Sequence, residues 1–426
     1  QVRPYPYQTA ILDSLQAERM IHGRHRNLVV AATGTGKTVV AALDYERLCG
    51  EAARAGLPDR PRLLFIAHRR EILTQSRRTY REVLAEAGFG ELYVGGARPE
   101  RWQHVFASVQ SLSSYDIRTI PPDAFDVVVI DEFHHASAQT YQRILDHLQP
   151  RELLGLTATP ERGDGRDVRV LFDGRTAAEL RLWDAIEADL LSPFHYFGVA
   201  DGTDLSQVSW RAGRYVESEL EGVFTGNDAR ARLILKQVQD KITNPHGMRA
   251  LGFCVSVSHA QYMAAVFEHA GLKAQAVTGD TPPEARRAAI AGLRAGQLQT
   301  LFTVDVFNEG LDIPEVDTVL FLRPTESVTV FLQQLGRGLR LSQNKAVLTV
   351  LDFVGHHRAE FPTDKRLGAL AGATRKRLEK EIGLGFPTLP SGCQIVLDEQ
   401  TREEALRSVR ASLKVNKAIL ERELQM

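Results

Sequence analysis

Leu28-Val29-Val30-Ala31-Ala32-Thr33-Gly34-Thr35-Gly36-Lys37-Thr38 is an apolar run of strand length that opens into a glycine-rich turn. A helical stretch containing Val39, Val40 and Leu43 follows it. Glycines let the backbone turn so that successive N–H groups face inward, and the helix N-terminus adds positive dipole, so Thr33, Gly34, Thr35 and Gly36 form a cradle for phosphate. Lys37 is then placed to reach the β- and γ-phosphates of a nucleoside triphosphate, and the Thr38 hydroxyl to bind Mg²⁺. The strict motif has glycine where this chain has Ala31. Usage singles out the lysine as well: of 52 cationic side chains, Lys37 is the single lysine among the first 235 residues. A slim ammonium is needed there in place of a wide planar guanidinium.

A second element supports the first. The apolar strand Val127-Val128-Val129-Ile130 ends in Asp131-Glu132-Phe133-His134-His135, which puts two carboxylates at the C-terminal edge of a buried strand, where open α/β sheets bind ligands. Asp131 fits a Mg²⁺ partner acting through water, and Glu132 a group that orients or deprotonates the attacking water. Adjacent histidines point in different directions and no further ligand is spaced to join them, so His134 and His135 are not expected to hold a metal.

Outward from these two segments, strand-length apolar runs alternate with helical-period segments, the pattern of βα units and a parallel sheet. Strands are expected at 28–32, 62–67, 105–108, 125–130 and 153–157, and in a second pass at 250–254, 274–278, 300–304, 318–322 and 346–352. The chain therefore reads as two α/β lobes, 1–192 and 227–358, joined by a Gly- and Ser-rich connection over 193–226 in which Trp210–Tyr215 could form a hairpin. After Val354 no further strand is expected, and 359–426 reads as a helical C-terminal extension.

The composition agrees with a globular chain: 426 residues, 43% hydrophobic, 25% charged and a net charge of −1. Neutrality excludes a basic nucleic-acid-binding domain, so any polyanion must be held by local sites. No run approaches the ~20 apolar residues of a membrane span. Cys49, Cys254 and Cys393 stand too far apart for a disulfide framework or a zinc ribbon, and a reducing cytoplasm is the expected setting. The first residue is Gln1, so fused domains beyond the sequence are expected.

The ordered motifs resemble the superfamily 2 helicases of DEAD/DEAH-box type, over most of residues 3–354. Arg3-Pro4-Tyr5-Pro6-Tyr7-Gln8 is similar to the adenine-reading segment, implying that Gln8 meets the adenine edge and Arg3 or a neighbouring tyrosine packs on the base. Thr157-Ala158-Thr159-Pro160 is similar to the motif coupling ATP state to lobe movement, which implicates Thr157 and Thr159. Gly310-Leu311-Asp312-Ile313-Pro314 and Gln333-Gln334-Leu335-Gly336-Arg337-Gly338-Leu339-Arg340 are similar to the fifth and sixth motifs. The resemblance implies that Gly310 and Asp312 reach the nucleotide from the second lobe, Asp312 at the ribose or at the lobe-two side of the nucleotide. Gln333 would help hold the attacking water, and Arg337 and Arg340 would act as arginine fingers. The forms Leu156-Thr157-Ala158-Thr159-Pro160-Glu161-Arg162 and Gln334-Leu335-Gly336-Arg337-Gly338-Leu339-Arg340 are more similar to the branch of type III restriction motors and excision-repair helicases than to RNA-remodelling DEAD-box proteins, and Asp-Glu-Phe-His-His resembles bacterial proteins that join such a motor to a nuclease-like domain. The implied fold is two RecA-like lobes in tandem.

Where strands meet helices, backbone N–H groups and hydroxyls could track a phosphate chain. The candidates are His68, Arg69, Ser108 and Gln110 in lobe one, and Ser256, Ser258, Thr278, Gly279 and Thr303 in lobe two. Each taken singly also fits a helix cap. The expected activity is ATP–Mg²⁺ hydrolysis between the lobes that drives movement along nucleic acid, DNA favoured over RNA and 3′→5′ travel favoured by branch resemblance. Two alternatives remain open at this stage. One is a duplex translocase that separates no strands; the other is an ATP-gated recognition module that signals to a fused effector.

Overall fold

The computed structural model describes residues 2–57, 60–115, 117–132, 138–158, 168–304 and 313–423. It divides into two compact units, Gln1–Ala185 and Ile186–Met426.

In the first unit the strands are β1 (Arg26–Ala31), β2 (Leu63–Ala67), β3 (Glu91–Tyr93), β4 (His104–Ser108), β5 (Val127–Asp131), β6 (Glu152–Thr157) and β7 (Ala178–Leu180). The helices are α1 (Pro6–Met20), α2 (Lys37–Arg54), α3 (Arg70–Leu84), α4 (Val109–Ser114), α5 (Ala138–His147) and α6 (Leu182–Glu187), the last running across the boundary. The strands pair in parallel in the order β3-β4-β2-β5-β6-β1-β7. Side chains alternate across a strand, and here both faces are covered. Val29, Ala31, Phe65, Val127, Val129 and Leu156 join one core with residues of α1, α2 and α3, whereas Leu28, Val30, Leu64, Val128 and Ile130 join a second core with residues of α4 and α5. This double burial is why the strands read as continuous apolar runs. The three-residue edge strands β3 and β7 were too short to show any period in the sequence.

The second unit contains β8 (Phe194–Asp204), β9 (Trp210–Arg211), β10 (Arg214–Tyr215), β11 (Ala250–Phe253), β12 (Ala274–Ala276), β13 (Thr300–Thr303), β14 (Thr318–Phe321), β15 (Leu348–His356) and β16 (Gln394–Leu397). Its helices are α7 (Glu217–Phe224), α8 (Asp228–Lys241), α9 (Val257–His269), α10 (Pro283–Arg294), α11 (Val328–Gly338), α12 (Thr363–Ala371), α13 (Arg375–Leu384) and α14 (Glu399–Glu423). Seven parallel strands run in the order β12-β13-β11-β14-β15-β8-β16, and β9 and β10 form a separate antiparallel ribbon.

Two expectations need correction. Residues 193–226 are not merely a connection, because β8 is an interior strand lying between β15 and β16. Nor do strands stop after Val354, since β16 closes the sheet edge, α14 packs on β8 and β16, and α12 and α13 pack against α14 in the same compact unit. The misleading signal was glycine. A Cβ on Gly198 would lie 2.7 Å from Leu397 Cδ2 and 3.0 Å from Thr401 Cγ2, so the residue that suggests a loop is where β16 and α14 approach β8.

Candidate active site

The loop after β1 turns through two glycines with positive φ, Gly34 at 91° and Gly36 at 77°, and Gly36 caps α2 in the left-handed region. Left-handed glycines of this kind let backbone N–H groups turn toward a common point at the start of an 18-residue helix, while the Thr35 N–H is taken by the Ala32 carbonyl at 3.3 Å. Thr35 closes the turn by donating its hydroxyl to the Ala32 carbonyl at 2.7 Å.

Lys37 reaches back across this loop. Its ammonium donates to the Ala31 carbonyl at 3.2 Å and pairs with Glu132 Oε1 at 3.0 Å, with the two side chains 9% and 12% exposed. The topology makes this meeting possible: β6 lies between β1 and β5, and the Glu132 N–H donates to the Leu156 carbonyl at 3.1 Å. Glu132 itself sits at φ 54°, a left-handed conformation that costs a non-glycine residue on the order of 1–3 kcal/mol and recurs at functional positions. Asp131, the last residue of β5, is buried beside it. Thr157 ends β6 opposite Val30 of β1 and is also buried.

The N-terminal segment is wired into the same loop. Gln8 is 3% exposed; its Oε1 accepts from the Tyr5 N–H at 3.0 Å and its Nε2 donates to the Thr35 carbonyl at 3.5 Å. Tyr7 OH donates to that same carbonyl at 2.8 Å, a contact sequence reasoning missed because nothing local distinguishes Tyr7 from a packing residue. Tyr5 and Tyr7 stack at 5.9 Å with planes 8° apart, and Tyr5 is exposed, as is Arg3. The segment thus presents a flat aromatic ledge next to the phosphate loop.

A Cβ on Gly36 would lie 2.8 Å from Gln8 Nε2. Gly36→Ala is therefore expected to push Gln8 out of place and to strain the loop by about 1–2 kcal/mol for an L residue in the left-handed region. Turnover of ATP should fall at least tenfold with a lowered thermal midpoint, and wild-type values in both measurements would contradict this geometry.

The donor set fits a nucleotide triphosphate with a divalent cation. A buried ammonium, a glycine turn at a helix N-terminus and the buried, unbonded Thr33 hydroxyl oxygen suit phosphate, while the Thr38 hydroxyl and the buried Asp131 carboxylate would offer hard oxygens to the cation. Among the described residues, no group of three or more His, Cys, Asp or Glu gathers to hold an ion without such a substrate.

In the second unit Gln333 is 1% exposed inside α11, and Arg337 occupies the last turn of that helix. The helix ends on Gly338, whose Cβ would lie 2.4 Å from Leu348 Cδ1. Arg340 follows, its backbone pinned by a bridge to Leu191 and by Ser192 Oγ donating to its carbonyl at 3.3 Å. Thr159, Gly310 and Asp312 lie outside the described residues, as do His134 and His135.

The expected phosphate-track residues fall into three groups. Ser108 and Ser256 are helix caps: Ser108 Oγ accepts from the Ser111 N–H at 3.0 Å and Ser256 Oγ from the His259 N–H at 3.1 Å. Thr303 is fully buried at the end of β13, and Thr278 is buried with its N–H donating to Thr281 Oγ1 at 2.9 Å. His68 and Arg69 are half-buried at the start of α3, and Gln110, Ser258 and Gly279 are exposed.

Residues 1–162 match the family profile "Type III restriction enzyme, res subunit", and residues 232–342 match "Helicase conserved C-terminal domain". The chain is 28% identical over 363 residues to IRC3 of Saccharomyces cerevisiae, assigned as an ATP-dependent helicase, covering 82% of this chain and 51% of that protein. It is 25% identical over 372 residues to the endonuclease subunit of the type I restriction enzyme EcoAI of Escherichia coli, covering 79% of this chain and 44% of that subunit. The chain spans about half the length of these curated relatives. Among solved structures, a fragment assigned as the HsdR subunit of a type I restriction enzyme from Vibrio vulnificus superposes with a TM-score of 0.64 at 23% identity, over 83% of this chain and 64% of that one. The Type ISP restriction-modification enzyme LlaBIII, bound to DNA, gives 0.67 at 16% identity, over 96% and 32%. At such identities the likeness shows the fold, two tandem RecA-like lobes. Among the described residues no helix is long and apolar enough to cross a membrane.

Proposed function

Because this chain belongs to the superfamily 2 helicases and resembles their restriction-motor branch, we propose that it hydrolyses ATP to move along nucleic acid, DNA in preference to RNA. The observation that carries the reading is the Lys37–Glu132 pair at 3.0 Å, at the C-terminal edge of a parallel sheet and beside a glycine nest.

The pair suggests how the chemistry is gated. An incoming phosphate competes with Glu132 for the Lys37 ammonium, because a phosphate carries more charge than a carboxylate. Glu132, released from its cation, becomes the acceptor that orients or deprotonates the attacking water. Its left-handed backbone fixes where that carboxylate points. A Mg²⁺ ion held by Thr38 and Asp131 would neutralise charge on the phosphates. Gln8 and the Tyr5–Tyr7 ledge are assigned to adenine, Thr157 with Thr159 to coupling, and Gly310 and Asp312 to the nucleotide's ribose side. Gln333, Arg337 and Arg340 are assigned to the attacking water and the transferred phosphoryl group.

The DNA preference draws on the restriction-enzyme relatives. The test is ATP hydrolysis at fixed salt with no nucleic acid, single-stranded DNA, duplex DNA and RNA. DNA is expected to raise turnover at least severalfold, and RNA much less. Equal stimulation by RNA would remove the DNA preference, and no stimulation by any polynucleotide would remove the motor. In the same assay Glu132→Gln and Arg340→Ala should each lose on the order of 10²–10³ in rate or more.

A further inference from the structure

The ribbon of β9 and β10 joins two features that are unfavourable in isolation. Its register sets Arg211 directly opposite Arg214 and Trp210 opposite Tyr215. Side chains alternate across a strand, so the aromatic pair takes one face and both guanidinium groups take the other. Like charges facing each other across an antiparallel pair destabilise it. The two-residue loop between them is Ala212-Gly213, both at positive φ (50° and 79°), which is the tight hairpin geometry. Asparagine, aspartate or glycine is the usual first residue of that turn; alanine there is strained.

The ribbon is nevertheless held firmly at its root. Tyr215 is 1% exposed in a small core with Leu205, Val208, Leu220 and Phe224, and Trp210 meets its ring edge-on at 4.9 Å. Tyr215 OH accepts from the Arg358 N–H at 3.0 Å and lies 3.3 Å from His357 Nδ1. The nearby carboxylates are engaged with backbone: Glu219 Oε2 accepts from the Ser209 N–H at 2.7 Å, and Glu326 Oε1 from the Tyr215 N–H at 3.1 Å. Arg211 and Arg214 are exposed, and Arg211 lies close enough to Glu219 to help hold that carboxyl below its usual range, behind the hydrogen bond from Ser209.

The geometry points to this hairpin as a phosphate grip: Arg211 and Arg214 together bind the sugar–phosphate backbone of the polynucleotide. The aromatic residues anchor the prong and do not act as its tip. Guanidinium forks match phosphate oxygens in planar, bidentate contacts, and an intervening phosphate turns the repulsion between the two arginines into shared attraction. Contacts of this kind carry no sequence information. This inference rests on the motor reading above and extends it to a binding element in the second unit.

The experiment compares wild type, Arg211→Gln/Arg214→Gln and Arg211→Lys/Arg214→Lys in binding a labelled oligo-dT strand across a salt series. For the glutamine variant, affinity is expected to fall about tenfold or more at moderate salt, and the slope of log K against log salt should become shallower by roughly 1–2. The lysine variant should recover the slope. The thermal midpoint of the glutamine variant should equal or exceed that of wild type, since removing the opposed charges relieves strain. An unchanged slope with wild-type binding intact overturns the grip while leaving the motor reading standing. A wild-type protein that binds no nucleic acid overturns both. Loss of binding to a polyglutamate probe with the DNA slope unaltered overturns the grip in favour of an acidic protein partner.

Discussion

Lys37→Ala is expected to reduce ATP turnover by about 10²–10³ or more, the loss seen when one preorganised electrostatic donor is taken from a site where charge develops. Alanine leaves the loop geometry to Gly34 and Gly36 but removes the ammonium that the Ala31 carbonyl and Glu132 hold in place. It also removes the Lys37 counter-charge from the Glu132 carboxylate, in a site where that side chain is 12% exposed. Breaking one side of such a pair typically costs about 3–5 kcal/mol, so the variant should also melt earlier. Turnover and stability separate in the double variant Lys37→Ala/Glu132→Gln. Neutralising both partners should recover most of the lost stability and none of the activity. Recovery of turnover in that double variant, or full turnover in Lys37→Ala, would show that the site does not work through this pair.

Arg230→Met should produce the largest loss of stability in the second unit. The guanidinium of Arg230, on α8, donates through Nε to Asp201 Oδ2 of β8 at 2.7 Å, with side chains 2% and 1% exposed. It also donates through Nη2 to the Leu322 carbonyl at 2.9 Å and lies 4.2 Å from the centroid of the Phe224 ring. Methionine fills much of the volume but strands a buried carboxylate, at a cost of about 3–5 kcal/mol. With roughly 2–4 °C lost per kcal/mol in a domain of this size, the midpoint should fall by about 6–20 °C in calorimetry. Arg230→Met/Asp201→Leu should regain most of that, because replacing both members of a buried ion pair with apolar groups is often neutral. A midpoint within a degree of wild type in the single variant would mean that water reaches Asp201.

Neither effect has the same visibility in the sequence. Lys37 announces itself: its neighbours in the chain are its neighbours in space, and strand, glycine turn and helix follow one another without interruption. Asp131 and Glu132 are legible for a similar reason, at the end of an apolar run. Arg230 is invisible, because Asp201 lies in a stretch whose glycines and polar residues suggest a connection, and only pairing with β15 makes that stretch a strand. Tyr7 escapes notice as well, since its role depends on a carbonyl brought to it by the loop. For Ser108 and Ser256 the local reading of a helix cap is the contact present in the structure.

By itself the sequence determined what short-range geometry can encode: the phosphate loop, the acidic strand end, the alternation of strands and helices, and hence parallel sheets. The tertiary structure decided which strands become neighbours. It set β6 between β1 and β5 so that Lys37 could meet Glu132, and it drew β8 and β16 into the second sheet. The physical reason is that turn and helix preferences act among adjacent residues. Strand order and buried ion pairs are settled by competition among distant surfaces for burial, and no single segment of the chain records its outcome.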